Sequence, residues 1–273
     1  MIEILKAVLF GVVEGVTEWL PISSTGHMIL LNEFVTLEVS GEFWEMFLVV
    51  IQLGAILAVV LLFWDKIFPF RFGAKPGIRK ETMALWYKII GACIPAAVVG
   101  ILFDDVLEDW FYNYPTVALA LILFGIAFIV IEEKNKDRRA VITDLSEMTW
   151  KAAFLIGFFQ LIAAIFPGTS RSGATILGAL LIGVSRTVAA EFTFFLAIPV
   201  MLGASFLKIL KFGFAFSVQE LMILGTGMIT AFAVSVLVIK FLMDFIKKHD
   251  FKVFGWYRIC LGCLVMLYFW KMY

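Results

Sequence analysis

The sequence predicts an all-α integral membrane protein: six transmembrane helices plus two shorter re-entrant helix hairpins, arranged as an inverted-topology repeat. Three observations carry that expectation. Of the 273 residues 62% are hydrophobic and only 16% are charged, against about a quarter in soluble domains. Apolar runs long enough to cross a bilayer recur along the chain. Two further apolar runs are short and end in clusters of Pro, Gly, Ser and Thr. The mean hydropathy is +1.00, which excludes an ordinary soluble domain and a disordered chain. The 22 Lys and Arg balance 22 Asp and Glu, so no net field favours a nucleic acid. Three cysteines do not make a disulfide scaffold.

Taken in order, the chain opens with the apolar run 4–20, which Glu14 and Glu18 interrupt. No small-residue cleavage site follows, so it is not read as a signal peptide. It runs into P-I-S-S-T-G-H at 21–27. Three spans of about 20 apolar residues follow, at 46–64, 83–103 and 116–131. The run 152–166 is again short and ends in P-G-T-S-R-S-G-A-T at 167–175. Three more spans follow at 188–210, 219–242 and 254–271. Non-helical backbone at membrane depth survives only when buried in protein or lining a wet cavity. Both short runs are therefore expected to enter, turn at a polar tip and come back. The whole chain, 1–273, is one membrane domain. Its two repeats lie at approximately 1–131 and 152–271, joined by the basic segment 132–151.

Loop charge sets the orientation. Lys66, Arg71, Lys75, Arg79 and Lys80 lie in 65–82; Lys134, Lys136, Arg138, Arg139 and Lys151 in 132–151; Lys247, Lys248 and Lys252 in 245–253. The alternate segments 28–45 and 104–115 carry no Lys or Arg, and the second holds four acids. The basic loops are placed in the cytoplasm and both chain ends outside, with Lys208 and Lys211 falling on the outer side against the trend.

The chain also matches itself at an offset of 146 residues, which sets 11–27 against 157–173. Gly11 meets Gly157, Glu14 meets Gln160, Pro21 meets Pro167 and Ser24 meets Ser170. Three spans after each copy put the second hairpin on the opposite face from the first, and inverted repeats of this kind hold their working site near the midplane, at the repeat interface. Chance similarity of two apolar segments is the alternative. The copies differ where chemistry would lie. The first carries Glu14, Glu18 and His27; the second carries Arg171, opposite Thr25 in this register.

Glu14 and Glu18 are four apart and share one helix face. Carboxylates inside a membrane face a cavity or a partner, and two on one face suit a divalent cation, Mg or Ca, whose shell substrate phosphate oxygens would complete. A structural pair bonded to backbone or to Arg171 is the alternative. Gly168, Thr169, Ser170, Arg171, Ser172 and Gly173 read as an anion cradle at a helix start: glycines turn N–H groups inward, hydroxyls add donors, and Arg171 supplies a planar fork for phosphate oxygens. Arg171 capping backbone carbonyls is the competing role. In the facing tip Ser23 and Ser24 are candidate nucleophiles, Thr25 a phosphate contact, and His27 a proton carrier. Cys260 and Cys263 are read as packing residues, Glu191 as one half of a buried pair, and Trp256, Tyr257, Tyr268, Trp270 and Tyr273 as an interfacial belt.

These segments, with V-I-Q-L-G-A-I-L-A-V at 50–59 and S-R-x-x-A-A-E-F-T-F-F-L-A-I-P at 185–199, resemble the undecaprenyl-diphosphatase family, also called bacitracin-resistance proteins. The resemblance runs over nearly the whole chain. It implies a divalent-metal-dependent phosphatase of the bacterial plasma membrane, open to the outer side, that converts undecaprenyl diphosphate to undecaprenyl phosphate and inorganic phosphate. That reaction would recycle the lipid carrier of wall synthesis and confer bacitracin tolerance. The family's acid motif falls on Glu14 and Glu18, its Ser/His motif on Ser23, Ser24, Thr25 and His27, and its Arg motif on Ser170 and Arg171. The partners implied are a polyprenyl diphosphate and membrane lipids, with no nucleic acid; a homodimer is left open. The competing function is a transporter or flippase of the same lipid carrier.

Overall fold

The computed structural model describes residues 1–71 and 76–272, with the side chains of Asp104, Asp105, Glu108 and Met272 outside the description. Lys75 and Tyr273, named above, therefore lie outside the described residues. The chain is helical almost throughout: α1 (Ile2–Thr17), α2 (Ser24–Phe34), α3 (Gly41–Leu62), the short α4 (Trp64–Ile67), α5 (Lys80–Phe111), α6 (Tyr114–Asn135), α7 (Trp150–Ile165), α8 (Arg171–Leu181), α9 (Arg186–Phe212), α10 (Val218–Phe245) and α11 (Lys252–Met272). Between α4 and α5, β1 (Phe70–Arg71) pairs antiparallel with β2 (Gly77–Ile78). Six helices, α3, α5, α6, α9, α10 and α11, are long and apolar enough to cross a membrane.

Polar side chains punctuate the helices where the sequence leaves them. Ser40, Asn113, Thr149, Ser185 and Ser217 each accept a backbone N–H in the first turn of the helix that follows, satisfying one of the orphan donors at a helix start. Ser217 and Glu220 cap one another's backbone reciprocally. The α5 helix runs eight residues beyond the expected end of its span, through the acidic stretch to Phe111: 104–111 has no Gly or Pro to stop it.

The packing places each short helix pair against the opposite half of the chain. α1 lies on α10, and α7 lies on α5. Glycine makes both approaches close. A Cβ on Gly11 would sit 2.6 Å from the Gly227 carbonyl oxygen, and one on Gly157 would collide with that of Ala92. α3 crosses α9 and α6 crosses α11, the latter through Gly125 and Gly255, each of which would meet the other's carbonyl oxygen at 2.7 Å. The buried core between the halves is built from residues such as Trp19, Phe128, Phe192, Phe194 and Phe195.

Hydrogen bonds join the two ends of each short helix pair. The Glu38 N–H, after α2, donates to Glu3 at the start of α1. The residue after α8, Gly183, offers its carbonyl to the Val141 N–H in the segment that leads into α7. That second end is further tied by Arg186, which donates to the buried Glu132 carboxylate, and by the Phe251 N–H, which donates to the same group. Glu191 pairs with Lys66 at 2.7 Å, as its position inside a span requires.

Candidate active site

The two tips meet. Glu18 lies just past the C-terminus of α1, and its carboxylate is reached from both hairpins. Ser24 Oγ, the first residue of α2, donates to Glu18 Oε2 at 2.8 Å. Arg171 Nη2, the first residue of α8, donates to Glu18 Oε1 at 3.1 Å. The remaining arm of the guanidinium, Nη1, donates to the Thr193 carbonyl of α9 at 2.9 Å. Ser172 Oγ closes the junction by donating to the Glu18 carbonyl at 2.9 Å. Glu18 is 6% exposed, so this arrangement lies inside the protein rather than on its surface.

Both tips use the same local device. Ser23 (φ 74°) and Ser170 (φ 67°) are the non-glycine residues with positive φ among the described residues, a conformation that ordinarily favours glycine. Each accepts the N–H three residues on: Gly26 to Ser23 Oγ at 3.3 Å, and Gly173 to Ser170 Oγ at 3.1 Å. This geometry corrects two expectations. Counting from the caps, Ser23 matches Ser170 and Gly26 matches Gly173, so Arg171 stands opposite Ser24 rather than Thr25; the extra glycine at 168 shifts the register by one. The Gly173 N–H is also committed to the cap and is not available to an anion. The donors left in the first turn of α8 are the N–H groups of Arg171 and Ser172, and in the first turn of α2 those of Ser24 and Thr25. Both helices thus begin at the junction with their positive ends.

The two candidate nucleophiles now differ. Ser23 is 1% exposed with its hydroxyl engaged as a cap, whereas Ser24 touches a carboxylate. His27 does not share that contact. Its Nδ1 lies 2.7 Å from the Ser23 carbonyl and its Nε2 2.7 Å from the Tyr257 hydroxyl. The place beside Ser24 expected for His27 is taken by Glu18. Gly168 (φ +87°) passes so close to α6 that a Cβ would lie 2.5 Å from the Val117 carbonyl oxygen, and Thr169 is fully buried with Oγ1 lacking a partner among the described residues. Gly168 has no side chain and could meet a phosphate only through its backbone, and the buried Thr169 hydroxyl is closed off from the surface.

Glu14 is 1% exposed and its Oε1 has no hydrogen-bond partner among the described residues. Gln160, its counterpart in the second short run, is likewise buried, with neither side-chain polar atom in a hydrogen bond of ordinary geometry among the described residues. Among the described residues no group of three or more His, Cys, Asp or Glu side chains is placed to hold a metal. An orphaned carboxylate oxygen one helical turn from Glu18 nevertheless fits a hard cation that takes one or two protein carboxylates and fills its shell from substrate phosphate.

Three residues belong to the site that sequence reasoning did not place there. Arg258, fully buried on α11, donates to the carbonyls of Pro21 (3.3 Å), Gly168 (2.9 Å) and Thr169 (2.8 Å), so one guanidinium ties both tips together. An Arg inside the first turns of an apolar span was the available signal. Thr193 anchors Arg171 through its carbonyl and donates its hydroxyl to Thr175, which in turn donates to the Arg171 carbonyl. Tyr257 leaves the expected belt to bond His27.

These features define a multi-pass membrane protein with a buried, polar junction of two helix starts, one acid and one guanidinium. Its family follows from comparison with known proteins: the chain belongs to the family described as bacitracin resistance protein BacA, whose model matches residues 7–264. It is 66% identical over 269 residues to a protein of Desulfitobacterium hafniense named undecaprenyl-diphosphatase, covering 98% of this chain and 97% of that one. It is 64% identical over 268 residues to undecaprenyl-diphosphatase 1 of Clostridium acetobutylicum, covering 98% of each. An undecaprenyl-diphosphatase of Acetivibrio thermocellus is 60% identical over 269 residues, again covering 98% of each.

Proposed function

We propose that this protein is a membrane phosphatase that hydrolyses undecaprenyl diphosphate to undecaprenyl phosphate and inorganic phosphate, recycling the lipid carrier of cell-wall synthesis and conferring bacitracin resistance. The names of its close relatives support the substrate and the reaction. The observation that carries the chemistry is the Glu18 carboxylate held between the Ser24 hydroxyl and the Arg171 guanidinium.

In this reading Ser24 Oγ attacks the terminal phosphorus while its proton passes to Glu18 Oε2. The bond from that phosphorus to the bridging oxygen breaks, and undecaprenyl phosphate leaves with the proton that Glu18 took. Water then attacks the phosphoseryl phosphorus, giving a proton to Glu18, which passes it to Ser24 Oγ as the ester bond breaks, and inorganic phosphate departs. Arg171 and the free N–H groups at the starts of α2 and α8 neutralise charge on the phosphoryl oxygens, which is where catalysis of phosphoryl transfer is chiefly won. His27, three residues along α2 from Ser24, carries protons between the junction and its surroundings. Glu14, together with Glu18, would hold a divalent cation, Mg or Ca; when bound it supplies further neutralisation of the diphosphate.

The same reading makes both hairpins re-entrant and the two halves, 1–131 and 152–271, an inverted repeat. The hydrogen bonds that join the ends of each short helix pair support this, as do the matched glycine contacts of Gly11 on α10 and Gly157 on α5. The protein then sits in the bacterial plasma membrane with the basic segment 132–151 in the cytoplasm and the site open to the outer side, the isoprenoid lying among lipids between helices. Purified protein in micelles, given undecaprenyl diphosphate and magnesium with no gradient present, is expected to release phosphate. Binding without release would assign it to the transporter class instead.

A further inference from the structure

We infer that Tyr257 is a positioning residue for His27, donating to the ring nitrogen that the Ser23 carbonyl leaves bare and fixing which way the imidazole faces. The inference rests on the phosphatase reading for its consequence, and on geometry alone for its substance. His27 Nδ1 lies 2.7 Å from the carbonyl oxygen of Ser23. A carbonyl only accepts, so Nδ1 must bear the hydrogen. In the neutral ring Nε2 is then the bare nitrogen, and the Tyr257 hydroxyl, 2.7 Å away, must donate to it. The two rings also lie nearly parallel, at 4° with centroids 5.6 Å apart, so rotation of the imidazole is opposed by the tyrosine ring as well as by both hydrogen bonds.

The partners come from elements that have no other reason to agree. Ser23 is held in its positive-φ conformation by its own capping bond to Gly26, which aims its carbonyl at Nδ1. Tyr257 is fixed by its neighbour Arg258, whose guanidinium binds the carbonyls of both tips. Position 257 therefore follows the tips: whatever holds them together also holds the phenol against His27. The consequence is a single imidazole tautomer with Nε2 reserved as the proton-accepting atom, which is the state a proton carrier one turn from Ser24 requires.

The chain contains two histidines, His27 and His249, and His249 stacks on Phe245 away from the junction, so imidazole nitrogen NMR on the histidine-labelled full-length protein in micelles resolves both and supplies an internal reference. The wild type is expected to show His27 as one tautomer, protonated at Nδ1. Tyr257→Phe keeps the ring and its packing and removes one hydroxyl. It is expected to leave the proton on Nδ1 and to shift the His27 Nε2 signal, which loses its hydrogen-bond donor, while leaving the His249 signals unmoved. With undecaprenyl diphosphate it is expected to lower kcat about three- to tenfold, the order of one hydrogen bond, with KM within about twofold. In a His27→Ala background the same substitution is expected to change nothing further. A wild-type His27 protonated at Nε2 or at both nitrogens, an Nε2 signal that ignores Tyr257→Phe, or an equal loss of kcat without His27 would each overturn the inference. The NMR needs no substrate, so failure of the phosphatase reading leaves that arm standing and is seen separately as absent turnover in the wild type.

Discussion

Replacing Arg171 by Ala removes the one cation that reaches the junction from the second tip, and the structure sets the size of the effect. Of the five N–H donors of the guanidinium, one goes to the Thr193 carbonyl and one to Glu18; Nε has no partner. Nε is buried, so the second hydrogens of Nη1 and Nη2 are left for phosphoryl oxygens, already oriented by the two bonds that fix the fork. Loss of one oriented donor to a developing oxyanion costs about 3 kcal/mol of barrier, so kcat is expected to fall on the order of 10²- to 10³-fold. Glu18 keeps the Ser24 hydroxyl but loses its charged partner, which costs about 1–3 kcal/mol of stability, so folding has to be checked by the unfolding midpoint in the same detergent. Arg171→Lys restores the charge without the planar fork and is expected to recover the midpoint while leaving kcat well below the parent. The assay is phosphate release from undecaprenyl diphosphate by purified protein at saturating substrate. An Arg171→Ala protein that turns over within about threefold of the parent would refute the assignment.

Two further outcomes follow from other parts of the molecule. Arg258→Met keeps the bulk and removes the guanidinium, leaving the Gly168 and Thr169 carbonyls without their shortest donor bonds from α11; at about 1–3 kcal/mol for each, the loss is about 4 kcal/mol, read as a lowered unfolding midpoint together with reduced phosphate release, and an unchanged midpoint would contradict the tie between the tips. In the loop before α7, hydrogen bonds from Ser146 to Asp144, and from the Thr143 and Asp144 N–H groups to Glu147, hold both carboxyls below their ordinary values. Their contribution is present at neutral pH and is lost as pH falls through those lowered values, so exchange of the Thr143 and Ser146 amides, corrected for intrinsic rates, is expected to be protected at pH 7 and to lose protection in acid, whereas Asp144→Asn is expected to abolish the change at Ser146; protection that is indifferent to acid would count against it.

Much of the fold was written in composition and spacing. Six spans and two short apolar runs ending in Pro-x-[Ser/Thr]-Ser clusters follow from the length of each run and the cost of unsatisfied backbone in lipid, and α3, α5, α6, α9, α10 and α11 fall on the expected segments. Helix ends were less legible, because α5 continues past the hydrophobic stretch through 104–111, where no Gly or Pro stops it. At the site, Glu18, Ser24 and Arg171 were named from the types of residue in each tip, and they do touch. Their pairing was not legible: whether Ser24 faces Glu18 or His27 depends on the positive φ of Ser23, and nothing in a Ser-Ser dipeptide announces which serine turns. Tyr257 and Arg258 were hidden for a different reason. They lie 230 or more residues from the first tip, and Arg258 lies 89 and 90 from its partners in the second, on a helix whose aromatic and basic residues look like an interfacial belt until the crossing of α6 and α11 brings them inward.

The most direct measurement of the central idea, that one carboxylate joins a nucleophile from one tip to a cation from the other, is phosphate release by Ser24→Ala beside Ser23→Ala, with terminally labelled substrate quenched during turnover. The account predicts that Ser24→Ala loses activity by roughly a thousandfold or more and carries no label, while Ser23→Ala, damaged only in its helix cap, still turns over and carries label on Ser24. Turnover by Ser24→Ala near the wild-type rate, or label found on Ser23, would contradict it.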